Sequence, residues 1–136
     1  MTAIIYHNPD CGTSRNTLKM IEASGEEVEV IAYLDTGWTR PQLLALFAGA
    51  SLTPRTALRV SKSPAEELGL TDPTVSDEDL LEAMIAHPIL VNRPIVVTPK
   101  GIRLCRPSET VLELLENPHF GVFTKEDGER IDTGRA

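Results

Sequence analysis

The chain has little cysteine and little histidine: two Cys, at positions 11 and 105, and three His among 136 residues. Two thiols so far apart make no disulfide scaffold, and without a Cys-x-x-Cys pair or a His cluster no metal site is expected. Basic charge is also short, with 13 Lys and Arg against 20 Asp and Glu, a formal net charge of -7. General attraction to nucleic acid or anionic lipid needs a basic surface field, so neither partner is expected and any anion site has to be local. No apolar run approaches the length of a membrane span. The opening MTAIIYHNPD has no basic stretch and a single short apolar run, which predicts neither signal peptide nor anchor. Repeats and low-complexity segments are absent too. A hydrophobic fraction of 41% suits one globular domain, and the cysteine usage suits a reduced cytoplasm.

The first apolar run, Ala3-Ile4-Ile5-Tyr6, reads as a short buried strand. After a polar loop, Thr13 or Ser14 is placed to cap a helix that carries Leu18 and Ile21 toward Gly25. EVEVIAY, residues 27–33, then alternates as a second strand, and a crossover helix makes the two strands parallel neighbours. Helix starts at Thr39-Arg40-Pro41-Gln42 and Ser76-Asp77-Glu78-Asp79, with a shorter one at Ser63-Pro64 ending at Gly69, outline a helical insert over about 39–92. Ile95 to Thr98, Pro99-Lys100-Gly101 and Ile102 to Cys105 read as an antiparallel hairpin, and Ser108-Glu109 leads a helix bearing Val111, Leu114 and Leu115. The order βαβ, helical insert, ββα predicts an α/β fold, a thioredoxin-like mixed sheet flanked by helices. Residues from about 117 to 136 are polar and Gly-rich and are expected to form a loosely held tail of that one domain.

The segment HNPDCGTSR, residues 7–15, places Cys11 just before the first helix. Unpaired amides and the positive end of the helix dipole favour thiolate over thiol there. His7, if protonated and folded back, and Arg15 would lower the thiol pKa further. Taken singly, each residue has an ordinary reading: Cys11 a small inert side chain, His7 a strand-end group, Ser14 a cap. A phosphatase-type Cys-x5-Arg loop would need Arg at position 17, which is Thr, and a thioredoxin-type dithiol would need Cys at position 14, which is Ser. One thiol then works alone or borrows its resolving partner from another molecule. Arg93, before Pro94, and Arg106, before Pro107, with Arg59, are individually ordinary surface residues. Converging on one thiolate, three such forks would hold a tetrahedral oxyanion.

Three blocks in order, HNPDCGTSRNT from residue 7, HPILVNRPIVV from residue 87 and RLCRPSE from residue 103, closely resemble the glutaredoxin-coupled arsenate reductases. The resemblance runs from the first strand through FTKEDGE, residues 123–129. It implies a thioredoxin-like fold and reduction of arsenate to arsenite in the cytoplasm. Cys11 would be the nucleophile, His7 would favour its thiolate, and Arg59, Arg93 and Arg106 would bind and polarise the oxyanion, with Ser14 and Arg15 also among the substrate-binding residues. Glutathione would act as co-substrate and glutaredoxin would resolve the mixed disulfide, with no bound cofactor and no metal. Cys105 is not needed by that scheme. The family's relatives also include thiol-stress regulators that bind RNA polymerase, usually through a Cys-x-x-Cys pair, which Ser14 speaks against. A glutathione-dependent protein thiol oxidoreductase is a third reading.

Overall fold

The computed structural model describes residues 2–135. Residues 33–92 form one compact unit and the segments flanking them another. The flanking unit is built on β1 (Thr2–His7), whose Ala3 and Ile5 are fully buried, as befits a strand lying between neighbours. It pairs in parallel with β2 (Glu27–Ala32) and antiparallel with β3 (Ile95–Thr98), which pairs antiparallel with β4 (Gly101–Leu104). The order β2-β1-β3-β4 is the mixed sheet that the element pattern predicts. Helix α1 (Gly12–Ala23) is the crossover between β1 and β2, so its N-terminus opens where β1 ends. It stops where Gly25, at φ +82, turns the chain and donates to Glu22 O at 3.0 Å, a left-handed step that glycine takes without steric penalty.

The core of this unit joins Ala3, Ile5, Met20, Ile21, Val96, Cys105, Val111, Leu114 and Leu115. The segment expected as a helix after Ser108 is a 3-10 helix, Ser108–Leu114. Its tighter repeat of three residues per turn aligns Ser108, Val111 and Leu114, and these are its buried residues.

Where a loosely held tail was expected, β5 (Phe120–Thr124) and β6 (Arg130–Arg135) form an antiparallel hairpin; residue 136 lies outside the described residues. Phe120, Phe123 and Ile131 pack against the core, and the nearly buried Lys125 ammonium reaches Glu109 at 3.0 Å and Glu129 at 3.1 Å. Polar composition hid three well-spaced apolar anchors. The β5–β6 register shifts between Phe120 and Val122, where Gly121 adopts φ +92.

The second unit, residues 33–92, is helical: α2 (Tyr33–Thr36), α3 (Arg40–Gly49), α4 (Pro54–Ala57), α5 (Asp77–Ala86) and a 3-10 helix (Pro88–Leu90). It begins several residues before the expected insert boundary because Tyr33, stacked on Trp38 with ring centroids 4.9 Å apart, belongs to it. The capping box of Thr39 with Gln42 and the Ser76 cap on Asp79 form as their sequence signatures predict. Leu43, Leu46 and Phe47 of α3 and Leu80, Leu81 and Met84 of α5 are buried. The helix expected from Ser63 is not formed. Leu68 N donates to Pro64 O at 3.0 Å, one turn only, and residues 61–75 continue as turns that Arg55 ties to the Leu70, Asp72 and Val75 carbonyls.

Candidate active site

The loop between His7 and Gly12 is set by local bonds. Cys11 N donates to Asn8 O at 3.1 Å, and Asp10 N donates to Asn8 Oδ1 at 2.9 Å, an Asx turn written by Asn8-Pro9-Asp10. The helix starts earlier than either expected cap. Arg15 N donates to Cys11 O at 3.0 Å, so Cys11 itself is the N-cap residue, with φ -105 and ψ 120 and no side-chain capping bond. Ser14, fully buried, turns its hydroxyl back to the strand end, accepting from Asn8 N at 3.1 Å and lying 2.7 Å from His7 Nδ1. A cap position thereby becomes a brace. The sulfur is left facing the unpaired amides of the first turn.

Cys11 is 6% exposed. Burial, the largest single effect on the thiol, opposes ionisation, but the Ser14 amide, the Arg93 charge, the Thr13 amide and the Arg106 guanidinium together outweigh it. They draw the pKa below its ordinary value of 9.0. Arg106 Nη1 stands 3.9 Å from Cys11 Sγ and donates to Arg93 O at 3.1 Å. The Arg93–Pro94 and Arg106–Pro107 peptide bonds are both cis. The flanking unit thus collects two arginines of the β3–β4 region at one thiol, in a chain of net negative charge. Such a site can stabilise a thiolate and an oxyanion that approaches it.

The condition attached to His7 is not met. Burial first, and the Arg15 charge second, hold its pKa below the usual 6.5, so the imidazole is neutral at neutral pH and serves the loop through Ser14. Arg15 feels the Cys11 charge, but its hydrogen bonds go elsewhere: Nε and Nη2 bind the Glu126 carboxylate at 2.9–3.1 Å, and Nη1 donates to Pro9 O at 2.6 Å. Arg59 lies in the second unit, 6% exposed, with its backbone amide on Leu90 O at 2.8 Å and Nε on Ser61 O at 2.9 Å. Cys105 is wholly buried in the core, and burial pushes its pKa up to about 12, so it is an inert thiol at neutral pH.

Two site residues escaped sequence reasoning. Asn8 carries the Asx-turn signal of an Asn-Pro-Asp run, a signal legible in principle. Glu126, 111 positions from Arg15, lies in the FTKEDGE stretch that the resemblance covers but carries no local signal of this pairing. Among the described residues, no group of three or more His, Cys, Asp or Glu is placed to hold a metal ion, and no helix is long and apolar enough to cross a membrane.

Residues 6–114 match the ArsC family. Arsenate reductase ArsI2 of Synechocystis sp. is 65% identical over 128 residues, covering 94% of this chain and 91% of the relative. An arsenate reductase of Escherichia coli strain K12 is 55% identical over 127 residues, covering 93% and 90%. The solved arsenate reductase from Vibrio cholerae aligns with a TM-score of 0.79 at 41% identity, covering 85% of this chain and 98% of that one. This chain belongs to the ArsC family, and its fold is the thioredoxin-like one of those reductases.

Proposed function

We propose that the protein reduces arsenate to arsenite in a reduced cytoplasm, with Cys11 as its nucleophile and glutathione and glutaredoxin as electron donors. The observation that carries this reading is the Arg106 guanidinium 3.9 Å from a Cys11 sulfur whose ionisation is favoured. Similarity to chains named arsenate reductases supports the substrate.

In the first step the Cys11 thiolate attacks As(V), a sulfur–arsenic bond forms, and hydroxide leaves and is protonated to water. Glutathione thiolate then attacks the Cys11 sulfur. As the sulfur–sulfur bond forms, the electron pair of the sulfur–arsenic bond stays on arsenic, which departs as As(III) arsenite. Glutaredoxin thiolate takes the glutathione sulfur of the mixed disulfide, and Cys11 leaves as thiolate. Arg93 and Arg106 stabilise the thiolate and the oxyanion charge, and Arg59 supplies a third fork by its match to the family motif. Ser14, bonded to the loop and to His7, holds the geometry in which the sulfur meets the helix amides.

The test is arsenite formation by purified protein with arsenate, glutathione, glutaredoxin and a glutathione-recycling system, beside Cys11→Ser and Cys105→Ser. Arsenite that depends on glutaredoxin and Cys11 but survives loss of Cys105 is the expected result. Equal loss in both variants overturns the assignment of Cys11. No arsenite, with RNA polymerase retained on the immobilised protein, would replace the enzyme by a thiol-stress regulator.

A further inference from the structure

The β5–β6 hairpin reaches the thiol loop through one residue. Glu126 binds Arg15 with both carboxylate oxygens, Nε at 3.1 and 2.9 Å and Nη2 at 3.0 Å, and its backbone amide donates to Asn16 Oδ1 at 3.1 Å. Lys19 Nζ stands 3.5 Å from Glu126 Oε2, so three residues along α1 converge on Glu126. The remaining arm of the Arg15 fork, Nη1, donates to Pro9 O at 2.6 Å, two residues before Cys11. On the way Nη2 passes 3.7 Å from where a Cβ on Gly12 would sit, beside the sulfur-bearing residue.

We propose that Glu126 is a positioning residue: by fixing Arg15, it clamps the Pro9 carbonyl and keeps the Cys11 loop seated on the first turn of α1. The proposal rests on the reading of Cys11 as the nucleophile. An arginine with a single carbonyl partner keeps most of its rotamer freedom, whereas one gripped at both ends of its planar fork does not. A seated loop matters because the Ser14 and Thr13 amides that favour the thiolate act only at short range. With Glu126 on Nε and Nη2 and the Pro9 carbonyl on Nη1, the Arg15 fork is held at both ends.

Clamping and simple charge effects predict opposite signs. The charged or titratable groups around Glu126 are Arg15 and Lys19 on α1 and Lys125, Asp127 and Glu129 on the hairpin turn; those around Cys11 are His7, Asp10, Arg15, Arg93 and Arg106. If Glu126 acted only as a distant negative charge, its removal would lower the Cys11 pKa. If it seats the loop, removal lets the sulfur drift from the amides and raises that pKa.

The experiment is the pH dependence of Cys11 alkylation by iodoacetamide, with arsenate kcat and KM alongside, in Glu126→Ala, Glu126→Gln, Arg15→Ala and the Glu126→Ala/Arg15→Ala double variant. Expected are an alkylation profile shifted to higher pH in Glu126→Ala, partial recovery in Glu126→Gln, and a fall in kcat of about fivefold with KM little changed. The double variant should be no worse than Arg15→Ala, because Glu126 acts through Arg15. Glu129→Gln on the same turn, which breaks only the Lys125 pair, should leave the profile in place. A profile that is unmoved or shifted down, or additive losses in the double variant, overturns the proposal. Absence of arsenite from the unaltered protein would defeat the arsenate reading alone, since the alkylation profile needs no arsenate.

Discussion

Arg106 Nη1 stands 3.9 Å from Cys11 Sγ while donating to Arg93 O at 3.1 Å. The contact joins positions 95 residues apart, the start of the first helix and the end of the β3–β4 hairpin. One guanidinium therefore both stabilises the thiolate and fixes the backbone that carries the second arginine. Charge and scaffold are coupled at this point.

Replacing that guanidinium should change reactivity before it changes the fold. Arg106 is exposed, so its field is partly screened by solvent and its loss costs little structure. Arg106→Ala is expected to raise the Cys11 pKa, seen as a thiolate absorbance that appears at higher pH. Arsenate kcat/KM should fall by about tenfold or more, the scale of one lost charge-assisted contact. The pKa difference from the unaltered protein should narrow as salt is added. Unaltered thiol titration and kinetics would remove Arg106 from the site.

Cys105 makes a stability prediction with a defined sign. Its folded-state pKa is raised from 9.0 to about 12, so between those values the unfolded chain loses a proton that the folded chain keeps. The unfolded state binds fewer protons there, and stability falls as pH rises, by at most about 1.4 kcal/mol per pH unit from this group. Urea midpoints at pH 8 and pH 10.5 should drop further for the unaltered protein than for Cys105→Ala. Iodoacetamide near pH 7.5 should modify Cys11 alone until the chain is unfolded.

The brace at the strand end is testable from both sides. Ser14→Ala strands the buried Asn8 amide and removes the partner of His7 Nδ1, at a cost of about 1–3 kcal/mol in urea unfolding. For His7 the folded pKa lies below the unfolded value, so its contribution is complete above the unfolded pKa near 6.5 and is lost as pH falls below it. Stability should therefore decline from pH 7.5 to pH 5.5 more steeply in the unaltered protein than in His7→Gln. A proton titration of the His7 ring above pH 6.5 would contradict the neutral imidazole.

The parts of the fold that were legible in the sequence are those whose signals are local. A short apolar run wrote β1, alternation wrote β2, a capping box wrote α3, the Ser76 cap wrote the start of α5, and Pro99-Lys100-Gly101 wrote the β3–β4 turn. The 3-10 form of Ser108–Leu114 and the turns of residues 61–75 were not legible, since spacings of three and four residues fit either helix type and a Ser-Pro start does not guarantee continuation. At the thiol loop, the position of Cys11 and the amide effect follow from a cysteine preceding a helix. The neutral His7 and the commitment of Arg15 to Glu126 depend on burial and on a partner 111 positions away, and neither leaves a mark in HNPDCGTSR.

The hairpin that replaced the expected tail gives the last test. Phe120 and Phe123 on β5 and Ile131 on β6 are only partly buried, yet they pack on the core that includes Met20, Ile21 and Leu115. A tail that merely lay on the surface would lose nothing on truncation of an aromatic ring. A hairpin that covers the core loses the transfer energy of the ring and uncovers its neighbours. Phe123→Ala is expected to lower unfolding stability by about 1–3 kcal/mol, below the range for a fully buried Phe because the ring is only partly shielded from water. Amide hydrogens of Phe123, at a ladder position opposite Ile131, and of Lys125, which donates to Glu129 O at 2.7 Å, should exchange slowly in the unaltered protein, at rates set by opening of the sheet and not by those of a free peptide. Free-peptide exchange along 120–135, together with an unchanged urea midpoint in Phe123→Ala, would return these residues to the status of a loosely held tail.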